Sequence, residues 1–343
     1  MSNMYREIFE QVTILSQLSN ENIDVFENIK KAVELRKPSQ IVLAARGSSD
    51  NACNYFKYLA EVYIGLPVSF AAPSVISLYH GKINYKDALV IGVSQSGEAL
   101  DVLAVMKHAL SQGAIVIALT NYTASPMATV ATFHINMFAG VELSVAATKT
   151  FTSEMFCLGK LVSVLSNNAL DNAFASIGSS VQKTLYVESE ISRLAYNFAN
   201  VEECYVLSRG YLYSIALEGA LKLQETTYIN AKAYSIIDFY HGPFAVLDQL
   251  SNVILLIKSG PGYEESVEIA KKIIKAGAKL SIITDKIPLE LIGHNILVIP
   301  EVDEEVAPFV YVTALQVFCY HLSLLKGINP DEPRGLKKVT LTK

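Results

Sequence analysis

Charged side chains are scarce in this chain, and neither sign forms a block. Only 18% of the residues are Asp, Glu, Lys or Arg, and 28 basic against 33 acidic residues leave a formal net charge of −5. Basic runs stop at two residues, as at Lys337-Lys338. A partner rich in phosphate, nucleic acid or anionic membrane, calls for the opposite balance, so neither is expected. The pattern predicts no uncharged apolar run long enough to span a bilayer. The N-terminus, MSNMYREIFEQ, carries charge too early for a secretory leader. Cysteine is sparse: Cys53, Cys157, Cys204 and Cys319 stand far apart in apolar surroundings. They read as reduced packing residues of a cytoplasmic protein. The six histidines show no ligand spacing, so no metal and no other cofactor is expected. Neither G-x-x-x-x-G-K-[ST] nor G-x-G-x-x-G occurs, which excludes the two commonest glycine-rich phosphate loops.

What the chain has in abundance is apolar material, 51% of 343 residues, enough for two domains. Residues 5–35 place Leu15, Leu18, Ile23, Phe26 and Ile29 at helical intervals. Beyond them, short apolar runs near 41–45, 67–70, 88–93, 114–119 and 133–138 alternate with helical stretches. Strands alternating with helices imply a parallel sheet covered on both faces. The order then repeats. IVLAARGSSDNACNYFKYLAE (41–61) aligns with CYVLSRGYLYSIALEGALKLQE (204–225), and residues 89–121 align with 253–285 at nearly the same offset. The chain is therefore expected to be a duplicated α/β domain. Its parts are a helical lead-in (1–38), a first copy (39–185), a second copy (195–328) and a tail (329–343).

In open parallel sheets, ligands bind beyond the carboxyl ends of the strands. At its two aligned junctions the first copy offers Ser48 and Ser49, and then Ser94, Gln95 and Ser96 before Gly97. Read singly, such serines are turn formers and helix N-caps. Two serine-rich junctions in one copy favour an anion cradle, with hydroxyls and helix N-terminal amides as donors and Gly97 allowing close approach. The second copy offers Tyr211 and Lys258-Ser259-Gly260-Pro261-Gly262, with far fewer hydroxyls. Elsewhere, Glu218, Lys222 and Glu225 at helical spacing read as a solvated helix face. His241-Gly242-Pro243 reads as a rigid exposed loop, and the last residues as a disordered tail.

With SQSGE after an apolar strand, ARGSS upstream and VAATKTF (145–151) downstream, the chain resembles the sugar isomerase, or SIS, domain family over almost its whole length. In particular it resembles the two-copy isomerase portion of the glutamine–fructose-6-phosphate amidotransferases. The resemblance implies two tandem flavodoxin-like three-layer domains. It also implies a sugar-phosphate substrate, with Ser48 nearby and Ser49, Ser94, Gln95 and Ser96 at the phosphate. Val145, through its backbone, and Ala147 would line the sugar. By the same resemblance Glu225 moves a proton between C1 and C2, and His241 opens the ring from across a homodimer interface. Lys338 would reach the substrate from the tail, and Lys222 would lie near the reacting oxygens. A base, a histidine and a cation are what an enediol pathway requires.

Departures from the amidotransferase pattern narrow the expected reaction. Ala99 stands where a threonine is usual, which removes one phosphate contact. Asn230 and Asp238 replace a histidine and a glutamate, and the tail reads PRGLKKVT. This chain carries no glutaminase domain, and its first cysteine is Cys53. The expected reaction is release of ammonia from glucosamine 6-phosphate, with a 6-phosphofructosyl-amino-acid deglycase as the alternative. A sugar-phosphate sensor without turnover is the alternative of another class. Such a sensor would carry a DNA-binding segment, for which residues 1–38, with Glu7, Glu10, Glu21, Asp24 and Glu27, are too short and too acidic.

Overall fold

The computed structural model describes residues 2–338; residues 339–343, the end of the expected tail, lie outside the described residues. The chain divides into two compact units that are not contiguous in sequence. The first comprises residues 13–142, 149–175 and 337–338, and the second residues 2–12, 143–148 and 176–336.

The sheet of the first unit contains β1 (Gln40–Ala44), β2 (Val68–Phe70), β3 (Ala88–Val93), β4 (Ile115–Thr120) and β5 (Phe133–Asn136). Every pairing is parallel, in the order β2-β1-β3-β4-β5. Side chains alternate across a strand, and here both faces are filled. Val42, Ala44, Val90, Val116 and Ala118 pack with Val102, Val105, Met106 and Ala109 of the helix Leu100–Ser111. Their neighbours Ile41, Leu43, Leu89, Ile91, Ile117 and Leu119 point the other way and are fully buried. On that side the helix Ser48–Tyr63 meets β2 and β3, with the helix Lys149–Leu165 packed against it. Double-sided burial is why β3 and β4 are apolar without alternation.

The second unit repeats the plan with β6 (Glu203–Ser208), β7 (Asn230–Ser235), β8 (Asn252–Ile257), β9 (Lys279–Thr284) and β10 (Asn295–Val298). Its order, β10-β9-β8-β6-β7, is the first sheet's order read from the opposite edge, again all parallel. β3 starts at 88 and β8 at 252, β4 at 115 and β9 at 279, the same 164-residue step twice. The expected pair of parallel three-layer domains is thus what the chain forms.

One expectation is corrected. The helix Ala307–Leu325 is uncharged over its 19 residues and is long and apolar enough to cross a membrane by composition. It is a core helix of the second unit, with Phe309, Val310, Ala314, Leu315 and Phe318 fully buried. Its Tyr311 hydroxyl donates to the carbonyl of Ile257 at 2.5 Å. A helix enclosed on all sides must be apolar all round, the same composition a bilayer demands.

The four cysteines are buried and unbridged. Burial pushes the Cys204 thiol up to about 12 and raises Cys53, Cys157 and Cys319 as well. The native protein should therefore resist a disulfide-exchange reagent at about pH 8, where an ordinary thiol is partly ionised. All four thiols should react once guanidinium is added. Rapid labelling without denaturant would contradict this packing.

Candidate functional site

In the first unit, β1 and β3 lie side by side, and the helices that follow them leave to opposite faces of the sheet. This is the switch point at which an open sheet forms a crevice. Both helices begin there without a side-chain cap: Gly47 precedes Ser48–Tyr63, and Ala99 precedes Leu100–Ser111. Two helix N-termini thus present backbone donors and positive dipole ends to one crevice. The missing threonine at Ala99 is, in local terms, a missing N-cap.

The loop between β3 and its helix is held by backbone contacts to the neighbouring loop. Asn121 N–H donates to Gln95 O at 3.1 Å, and Met127 N–H donates to Gly97 O at 3.2 Å. Gly97 has φ +68°, and a Cβ there would stand 2.2 Å from Ser125 Oγ, so no other residue fits without displacement. The hydroxyls shape the turn as well. Ser94 Oγ accepts from Gly97 N–H at 3.2 Å, and Ser96 Oγ accepts from Glu98 N–H at 3.3 Å. Each keeps its own proton to donate. Ser48, Ser94, Gln95 and Ser96 are half-buried at this crevice. Ser49 is more committed: it is buried and donates to the buried Glu154 carboxylate at 2.8 Å. A hydroxyl that donates to a carboxylate has no second proton for a phosphate.

Arg46, just before the first serines, pairs with the buried Asp101 at 2.6 Å. The second unit repeats this pair as Arg209 with Glu265 at 2.5 Å. Since it persists where the serines do not, the pair belongs to the fold. The rest of the second crevice is closed from within. The buried Asp285 carboxylate takes Ser259 N–H at 2.8 Å, Ser259 Oγ at 2.7 Å and Lys258 Nζ at 2.7 Å. Donors that could hold an anion there already hold one.

Lys338 is the last described residue of the expected tail. It joins the first unit, where its ammonium pairs with the Glu142 carboxylate. Together they line a cavity of about 410 Å³ with Gln95, Ser96, Tyr122 and Ser125. Upstream of it, Asp331 caps the helix Asn3–Gln17 by accepting from Asn3 and Met4 N–H, each at 2.7 Å.

The remaining expected residues belong to the second unit. Val145 and Ala147 are half-buried on the loop 143–148. The start of that loop is pinned by the buried Glu7, which accepts from Leu143 and Ser144 N–H at 2.5 and 3.2 Å. On the helix Tyr213–Thr227, the solvated-face reading fails. Glu218 and Lys222 are 0% and 1% exposed, and Lys222 Nζ lies 3.4 Å from Glu218 Oε1 while also bonding Glu225. Glu225 retains 19% exposure, so one carboxylate of the triad reaches the surface. Gly219, between them in sequence, lets this helix close on Leu315. Pairing of opposite charges is what makes such burial tolerable. His241 is exposed after the helix Ile236–Tyr240, ahead of Gly242 at φ +153°. Among the described residues, no three His, Cys, Asp or Glu side chains gather to hold a metal.

Sequence reasoning missed Glu142, Glu154, Glu7 and Asp285. A signal existed for the first: Glu142 is the lone Asp, Glu, Lys or Arg between His108 and Thr148.

A family model described as the SIS domain matches residues 34–164 and 197–326. Over 342 residues the chain is 31% identical to the glutamine–fructose-6-phosphate aminotransferase (isomerizing) of Pyrococcus horikoshii, covering 98% of this chain and 57% of that protein. The chain thus spans little more than half the length of that curated relative. Among solved structures, the C-terminal domain of glucosamine-fructose-6-phosphate aminotransferase from Francisella tularensis superposes with a TM-score of 0.87 at 27% identity, covering 97% of this chain and 98% of that one. Glucosamine-6-phosphate deaminase from Thermotoga maritima shares the fold, with a TM-score of 0.79 at 20% identity over 99% of this chain and 100% of that one.

Proposed function

The chain belongs to the SIS-domain family, with two copies of the domain in tandem, and from that premise we propose that it is an amino-sugar-phosphate deaminase. Glucosamine 6-phosphate and water would give fructose 6-phosphate and ammonia. The observation that carries the reading is the open crevice of the first unit, where hydroxyls, an amide side chain and two uncapped helix N-termini converge. Its counterpart in the second unit is already occupied by Asp285.

In this reading, Gln95, Ser94, Ser96 and the helix amides hold the phosphate, with Ser48 beside them. The contribution of Ser49 is limited to accepting, because its proton goes to Glu154. The sugar lies along Val145 and Ala147. His241, exposed and without a hydrogen-bonding partner for its ring among the described residues, opens the pyranose ring. Glu225 takes the C2 proton of the open-chain aldehyde and returns it to C1, while the C1 carbonyl oxygen gains a proton and the amine gives one up, so that the 2-amine becomes a C2 imine and C1 a hydroxymethyl group. Water adds at C2 and ammonia leaves. Lys222, fixed against Glu225, sets the orientation of that base and offsets negative charge on the enediol-type intermediate.

Two further points support the details. Asn230 and Asp238 depart from the amidotransferase pattern, which favours ammonia release over incorporation. Ile237, Tyr240 and Val246, exposed around His241, suit the homodimer in which a neighbour supplies that histidine.

The test is ammonia and fructose 6-phosphate measured together from purified protein supplied with glucosamine 6-phosphate. Equal appearance of both is expected. Neither product from this substrate, with cleavage of a 6-phosphofructosyl amino acid instead, would replace the deaminase by the deglycase. Binding without turnover of either would make the protein a sensor.

A further inference from the structure

We propose that Glu142 is the positioning residue for the tail lysine, seating the Lys338 ammonium at the phosphate end of the substrate cavity. The assignment rests on the reading of that cavity as a sugar-phosphate site, and it deepens that reading.

The loop that would hold the phosphate has no cation of its own. From Ser94 to Leu100 its lone charge is Glu98, which lines the same cavity and would repel an anion. Ala99 has also lost the side chain that could cap the next helix. Lys338 repairs this deficit, but a long lysine side chain loses rotamer freedom when it is held in one place, so it needs an anchor. Glu142 is that anchor. Its side chain is fully buried and its carboxylate is itself oriented. Thr150 N–H donates to Oε1 at 3.1 Å, and Thr150 Oγ1 donates to Oε2 at 2.6 Å. Lys338 bonds the same Oε2. Thr150 lies in the first turn of the helix Lys149–Leu165, so the anchor is set by a rigid element. An ammonium has three donors, and one spent on Glu142 leaves two for phosphate oxygens. Lys338 keeps 23% exposure, so those donors are reachable from the cavity.

Three variants test this: Glu142→Gln, Lys338→Met and the double variant. Charge-assisted hydrogen bonds of this kind correspond to about tenfold or more in affinity. Each single variant should weaken fructose 6-phosphate binding, read by calorimetry, by about that factor, and the double variant should be no worse. In turnover, KM for glucosamine 6-phosphate should rise about tenfold and kcat should fall by less, a split that a packing defect would not produce. Trypsin cleavage at Arg334–Gly335, just upstream of the anchor, should also accelerate about tenfold if the pair holds the tail down. Additive losses, unchanged affinity, or a fall in kcat at constant KM would each overturn the assignment. If the wild-type protein binds no fructose 6-phosphate, the function proposed above falls, and the cleavage rates still decide whether Glu142 anchors the tail. Should Glu142→Gln fail to fold, Lys338→Met carries the test alone, because it leaves the Glu142–Thr150 contacts in place.

Discussion

Replacing Glu225 by Gln is expected to lower turnover by about 10²–10⁴ while leaving binding of fructose 6-phosphate close to wild type. The reason lies in the geometry of its helix. Glu225 is the member of the Glu218–Lys222–Glu225 triad that reaches the surface, and its carboxylate is fixed by Lys222 rather than free to rotate. A fixed, partly exposed carboxylate can meet a C–H bond; the enclosed Glu218 cannot. Glutamine keeps the shape and a hydrogen-bond acceptor but removes the base. The measurement is kcat for ammonia release beside a calorimetric affinity for fructose 6-phosphate. Turnover within a few-fold of wild type would remove Glu225 from the mechanism.

The second large effect concerns stability. Lys222→Met should destabilise the second unit by about 3–5 kcal/mol, the range seen when one partner of a buried ion pair is removed. Methionine fills nearly the same volume, so packing is not the source of the loss. Glu218, at 0% exposure, would be left without the neutralising ammonium, beside a second carboxylate. Native-state hydrogen exchange at core amides of β6 and of the helix Tyr213–Thr227 reads the change in that unit alone. A loss below about 1 kcal/mol would mean that the two carboxylates find other partners or share a proton. Activity should fall in the same variant, because Glu225 loses the contact that holds it. Glu218→Gln, which removes a charge and leaves Lys222 paired with Glu225, should cost less.

Much of this molecule is legible in its residues because local physics writes it there. Apolar runs such as Ala88–Val93 and Ile115–Thr120 announce strands buried on both faces, and the 164-residue step announces a duplicated sheet order. Ser94, Gln95, Ser96 and Gly97 could be picked out as a cradle because strand-to-helix junctions in such sheets point at the ligand crevice. The positive φ of Gly97 and its contact with Ser125 show why that glycine stands there.

Charge is where the residues misled, since the meaning of a charge depends on what the chain brings to it. Glu218 and Lys222 have the spacing of an ordinary surface pair, and the same spacing serves a buried triad when the core helix Ala307–Leu325 closes over it. That helix in turn has the composition of a membrane span, because enclosure by protein and enclosure by lipid select the same side chains. Asp285 stands 26 residues from the serine it satisfies, and Lys338 stands 196 residues from Glu142. Helical and strand periodicities repeat over two to four residues and are visible in any short window. Desolvation and pairing of charges act through space at a few ångströms, with no fixed separation along the chain. The strands and the repeat therefore follow from sequence, whereas the filled second crevice, the pairing of Lys338 with Glu142 and the buried triad follow from folding.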